Sequence, residues 1–221
     1  MFIALLVASF FTPETPDADT AAEEMAATLT ADAAGHELSL FLAFVADIFF
    51  LVFLAGLWSR FRRFEGVGGM FAGLFVVAGA VFYATILISE GLHLALVKAA
   101  SSADPAVLPA LAQLDNWVGS STLPAGVPLF IGATGAILTT RALPSWLGWL
   151  AAVAGVLLVV SIAGVFEDDV DDGVLSFAGF GGFLLFMVWV LAASIVLLIK
   201  ASRPGSYDEP GQMRAEGRLA A

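Results

Sequence analysis

The sequence predicts an all-α, polytopic transmembrane bundle of about six helices, the first one short. Three observations predict it. The chain is 60% hydrophobic and only 13% charged, with a mean hydropathy of +0.94, whereas a soluble domain is about half apolar and a quarter charged. Five apolar stretches reach the length of about 20 residues that a helix needs to cross a bilayer. Basic and acidic residues gather at opposite ends of those stretches.

The N-terminal "MFIALLVASFF" supplies a short apolar run before Thr12 and Pro13. No Lys or Arg precedes it and no small-residue cleavage site follows, which disfavours a signal peptide; a re-entrant or interfacial segment stays open beside the favoured reading, a shortened first helix. A first span whose start lies upstream of Met1 is one way to read its shortness. "TPDADTAAEEMAATLTAD" reads as a short outer helix, capped by Asp or Thr and carrying Glu in its first turns. The spans follow at about 37–58, 67–96, 123–140, 146–166 and 174–199. None alternates as a barrel strand does, so each is a helix. "DPAVLPALAQLDNW" reads as a second helix lying on the outer surface. Residues 1–200 thus form the bundle. Residues 201–221 are polar and rich in Pro and Gly, and read as a disordered cytoplasmic tail.

Orientation follows from Lys and Arg. Arg60, Arg62, Arg63, Arg141, Lys200, Arg203, Arg214 and Arg218 fall on one side if the helices alternate; Lys98 falls on the other. That side is assigned to the cytoplasm, with both termini there and the chain in the plasma membrane. The acidic loops, including "EDDVDDG" at 167–173, then face out. "EDDVDDG" has the charge of a calcium loop, but Val170 interrupts it and no Glu closes it. Trp58, Trp146 and Trp149 sit at the inner ends of spans and Trp117 near the outer face, as an aromatic belt requires.

Lipid tails are as apolar as Leu, so helices in a bilayer associate through small residues. Gly69, Gly73, Ala80 and Ala84 form one row; Gly132 and Gly135, Gly148, Ala152 and Gly155, and Gly179 and Gly182 form others. They predict close packing within one bundle. A homo-oligomer through one such face, or a second membrane protein against it, is the accompanying expectation.

Composition excludes several functions. No cysteine is present, which removes disulfides, thiolate metal sites and cysteine nucleophiles. The net charge of −11 argues against nucleic acid. Phosphate-loop, dinucleotide, HExxH and GxSxG motifs are all absent.

Two polar features remain. Asp47 lies in the middle of "HELSLFLAFVADIFFLVFLAGLW", where an ionised carboxylate costs about 2.5–3.5 kcal/mol. Tyr83, Thr85, Thr134 and Ser161 on other spans are its candidate hydrogen-bond partners. At the outer face, His36, Glu37, Glu90 and His93 form a candidate cluster, with Glu90 expected near the depth of His36. Glu90 and His93 are spaced i, i+3 on one helix face, a di-metal spacing in some bundles. A divalent metal on His36, Glu90 and His93 is therefore weighed, although the chain supplies too few ligand copies, and no cofactor is predicted. A haem between the two histidines is disfavoured, because adjacent helices stand about 8–10 Å apart. His36, Glu37 and Asp47 are expected near one side of their helix.

"RALPSWLGWLAAVAGVLLVV", with the acidic loop and aliphatic last helix after it, resembles small multi-pass actinobacterial membrane proteins of unknown function. "PETPDADTAAEEMAA" resembles the acidic "P-x-x-D-x-x-A-x-E" loop those proteins place between their first two helices. The resemblance implies a six-helix bundle, usually with a full-length first helix, and implies no reaction. Two expectations for function follow. The first is a non-enzymatic structural, accessory or small-ligand-binding membrane component. The second is a small proton- or ion-coupled transporter or channel using Asp47, with Glu90 and His93 at its outer mouth.

Overall fold

A computed structural model describes residues 2–9, 13, 15–17, 19–66, 68–166 and 174–201. Its helices are α1 (Phe2–Ser9), α2 (Ala22–Ala31), α3 (Ala33–Glu65), α4 (Met70–Ala99), α5 (Leu108–Thr140), α6 (Ser145–Ser161) and α7 (Val174–Ala201), with 3₁₀ turns at Pro105–Val107 and Ile162–Phe166. No strand occurs among the described residues. Five helices, α3 to α7, are long and apolar enough to cross a membrane. Large apolar side chains lie exposed along them, among them Phe41, Val52, Val77, Val156 and Leu198. That outer surface fits a multi-pass membrane protein, whose solvent on those faces is lipid. Residues 202–221 of the tail and the "EDDVDDG" segment lie outside the described residues; Ala201 is the last residue of α7.

Consecutive spans run antiparallel. His36 meets His93 and Phe61 meets Phe75 across α3 and α4. Gly132 backs onto Phe75 and Gly126 onto Phe82 across α4 and α5. Gly155 meets Phe130 across α5 and α6, and Gly182 meets Leu158 across α6 and α7. This up-and-down order sets Arg60, Arg62, Arg63, Arg141 and Lys200 at one end of the bundle. His36, Glu37, Lys98 and Asp115 stand at the other, beside α2. The short α1 packs chiefly on α3, with Ile3, Leu5 and Leu6 against the core.

Local chemistry explains the turns. After α3, Gly66 and Gly68 take φ of 73° and 95°, a region that glycine enters without a Cβ penalty. The Glu65 carboxylate then reaches forward and accepts from the Ala72 N–H at 2.7 Å. It satisfies one of the open donors at the start of α4 and places negative charge at the positive end of that helix. At the same end of the bundle, Arg60 Nε donates to the Ala142 carbonyl at 2.9 Å, tying α3 to the turn between α5 and α6.

The structure corrects several expectations. α5 is one helix through Trp117 into the span, so "DPAVLPALAQLDNW" is not a separate surface helix. Asp104 caps the preceding turn by accepting from the Ala106 N–H at 3.0 Å. From there Leu108 and Ala112 are buried with Met25, Leu29, Leu96 and Val97 in a small apolar cluster under α2. Pro124 and Pro128 lie inside α5 without ending it, as neighbouring helices in a membrane permit. α2 forms as expected with Glu23 and Glu24 in its first turn, but Ala21 precedes it and no side chain caps it. The last five residues of the 146–166 span tighten into the 3₁₀ turn Ile162–Phe166.

The small residues divide into two groups. Gly132, Gly135, Gly148, Gly155, Gly179 and Gly182 all sit at helix crossings. The row Gly73, Ala80 and Ala84 does not: nothing stands within 4 Å of a Cβ built at Gly73, and Ala80 and Ala84 are exposed. α4 instead turns Ala72, Phe75, Gly79 and Phe82 inward, the i, i+3, i+7, i+10 face of a helix.

Around that face stands an aromatic block. Phe50, Phe82, Phe130 and Phe186 meet edge to face at ring separations of 5.4–6.1 Å. Trp189, fully buried, packs against Phe53, Phe75 and Phe130. Its indole N–H donates to the Leu147 carbonyl of α6 at 3.0 Å. Trp189→Phe is expected to cost about 1–3 kcal/mol, through the lost hydrogen bond and the smaller ring. Thermal unfolding of the purified protein in detergent measures it, and an unchanged midpoint would deny the bond its role.

Candidate functional site

Among the described residues only two polar side chains are buried, His36 and Asp47, at 2% and 4% exposure. Both lie on α3, three turns apart, facing α4. α4 answers with Glu90 and His93. The site is therefore the seam between these two helices, from the acidic end of the bundle to mid-span.

The carboxyl groups of Asp47 and Glu90 come together in the seam. The meeting follows from helix direction. A helical side chain leans toward its own N-terminus. α3 runs away from the acidic end and α4 runs toward it, so Asp47 leans up the seam and Glu90 leans down it. They converge although their Cα atoms lie at different depths. Rise per residue alone placed Glu90 beside His36; the structure turns it to Asp47. The Tyr83 hydroxyl lies within electrostatic reach of both carboxyls. The other hydroxyls weighed as partners are engaged elsewhere. Thr85 donates to the Phe82 carbonyl at 2.7 Å, Ser161 to that of Leu158 at 2.8 Å and Thr134 to that of Gly148 at 3.3 Å.

Above this pair the two imidazoles are in direct contact. His93 Nε2 lies 3.3 Å from His36 Nδ1, with ring centroids 5.3 Å apart. His93 Nδ1 lies 2.8 Å from Asp115 Oδ2 on α5. Asp115 falls in what the sequence reads as an outer loop, and it enters the site only because α5 continues through it. The Asp104-Pro105 start and Pro109 in the first turn were the available signal.

Glu37 leaves the seam. At one residue from His36 it is turned about 100° around the helix axis, and it pairs with Lys98 at the exposed rim. His93 spends both ring nitrogens on protein partners and Glu90 turns to Asp47, so His36, Glu90 and His93 do not converge as ligands. Among the described residues no group of three or more His, Asp or Glu side chains is arranged to hold a metal ion. The ring contact likewise leaves no space for a porphyrin.

Three buried polar atoms in the seam have no hydrogen-bond partner outside the carboxyl pair itself: His36 Nε2, Asp47 Oδ2 and Glu90 Oε2. In a low-dielectric interior each costs about 1–3 kcal/mol. The seam therefore holds unused donor and acceptor capacity at its buried end. On the arginine side of Asp47 it is closed: Phe50, Leu54, Leu57 and Phe61 of α3 are buried against Phe75 and Phe82 of α4.

No family model, curated protein or solved structure matches the chain.

Proposed function

We propose that this protein is a non-enzymatic multi-pass membrane component whose small ligand is a proton, held between Asp47 and Glu90 and exchanged with the outer face. The observation that carries the reading is the pairing of two carboxyl groups at mid-span. Carboxylate oxygens only accept, so a hydrogen bond between two carboxyl groups requires a proton on one of them. Two carboxylates in one such site cannot both stay charged, and sharing one proton is the usual resolution. Intramembrane carboxyl groups mark proton and ion sites in general.

The orientation proposed from Lys and Arg, with the arginine end in the cytoplasm of a plasma membrane, makes the histidine end the outer mouth. The aromatic block below Asp47 favours binding over through-conduction. Proton-coupled transport, the second reading, needs that block to open on the cytoplasmic side.

Infrared difference spectroscopy on protein in lipid nanodiscs tests the reading. A protonated-carboxyl C=O band is expected that bleaches as pH rises and disappears in the Asp47→Asn/Glu90→Gln double variant. A carboxyl band in neither spectrum sinks the proposal. Proteoliposomes loaded with a pH dye separate the two readings, since binding alone gives no sustained flux.

A further inference from the structure

The geometry points to a proton relay, Asp115–His93–His36, that connects the outer surface to the buried carboxyl pair; it rests on the proposed function. With both imidazoles neutral, the two contacts imply one order of hydrogens. Asp115, as a carboxylate, only accepts, so the hydrogen in its 2.8 Å contact sits on His93 Nδ1. Neutral His93 then has a bare Nε2. The 3.3 Å contact to His36 Nδ1 must be filled by the hydrogen of His36. His36 is left with a bare Nε2, and that atom is buried and unpartnered. The relay thus ends in a lone pair, sealed from solvent, at the head of the seam that holds Glu90 and Asp47. Glu90 is one helical turn from His93 on the same face of α4, about 5–6 Å between Cβ atoms, and the proposed relay requires one water molecule between His36 Nε2 and the carboxyl pair.

Access follows the same order. The His93 and Asp115 side chains keep 22% and 15% exposure, whereas His36 keeps 2%. The charged groups around the imidazoles are Asp32 at the start of α3, the Glu37–Lys98 ion pair at the rim, Asp115 from α5 and Glu90 below.

The step balances. A proton leaves the carboxyl pair and binds His36 Nε2 through the bridging water. His36 gives its Nδ1 proton to His93 Nε2. His93 gives its Nδ1 proton to the Asp115 carboxylate, which releases it to solvent. One proton enters the relay, one leaves, and no electrons move. Both rings finish in the opposite tautomer, and the reverse sequence carries a proton inward.

The test uses the full chain in nanodiscs. Ring-nitrogen NMR of the wild type is expected to show both histidines as Nδ1–H tautomers at neutral pH. After a pH jump, the carboxyl band of the pair is followed in wild type, His93→Gln and Asp115→Asn. Both variants are expected to reach the wild-type end point, with the rate reduced about tenfold or more. Wild-type rates in both overturn the relay and leave the proposed function standing. A wild-type pair that never titrates overturns the proposed function, and the relay with it. Nε2–H on His93 overturns the assigned order.

Discussion

Gly132→Leu is expected to abolish recovery of folded protein, and Gly132→Ala to destabilise it by about 1–3 kcal/mol. A Cβ at Gly132 would stand 2.6 Å from the Phe75 nitrogen, 2.8 Å from its Cα and 3.0 Å from the Phe71 carbonyl oxygen. All three are backbone atoms of α4, so no rotamer change relieves the overlap and the whole helix must retreat. Retreat would loosen Phe75, Phe82 and the aromatic block together. Gly73→Ala is the control on the neighbouring helix. Nothing stands within 4 Å of its new Cβ, and the expected change is within about 1 kcal/mol, in the stabilising direction of helix propensity. Thermal unfolding and the monodisperse fraction in detergent report both. Equal behaviour of the two variants would contradict the packing described for α4 and α5.

The second large effect belongs to the carboxyl pair. Asp47→Leu leaves Glu90 without its partner, and Glu90→Leu does the same to Asp47. Each is expected to cost about 1–3 kcal/mol, the price of an unsatisfied buried polar group. The double variant removes both groups and should cost less than the two singles added. A coupling of about 0.5–3 kcal/mol is the range for residues in contact. Asp47→Asn and Glu90→Gln keep a donor and an acceptor in place, so they are expected to retain stability while the titrating proton is lost from the double variant. Strict additivity of the leucine variants would mean that the two side chains do not touch.

Much of the fold was legible because hydropathy and charge act on whole segments. The five spans, the ends that carry arginine and carboxylates, and six of the glycines at helix crossings followed from counting residues. Reading failed where one side chain decides. Gly79 meets Leu54 at a crossing while Gly73 of the conspicuous Gly69–Gly73 spacing meets nothing, because a repeat does not say which face turns inward. Trp189 lies inside the last span and has no place in an aromatic belt, and its indole N–H finds a carbonyl to bond in the middle of the core. In the site, Asp47, His36, Glu90 and His93 stood out as polar residues in apolar helices. Their pairing did not, since it depends on the opposite lean of side chains on antiparallel helices. The hydroxyls of Thr85 and Ser161 were plausible partners by position alone. They bond their own helix backbone three residues back, a local option always open to Ser and Thr.

The close approach at Gly132 has a mechanical side. With no gap between their backbones, α4 and α5 form one beam, and that beam carries Glu90, His93 and Asp115. α3 carries His36, Asp47 and Glu37 and touches α5 far less than α4 does. Every polar contact of the seam except His93–Asp115 thus bridges two separate carriers. A tilt of α3 against the beam would part Asp47 from Glu90 and His36 from His93 together. If the pair holds a proton as proposed, its occupancy and the position of α3 are two readings of one equilibrium. By linkage, whatever pushes on α3 changes proton affinity by the same free energy that a proton contributes to holding α3 in place.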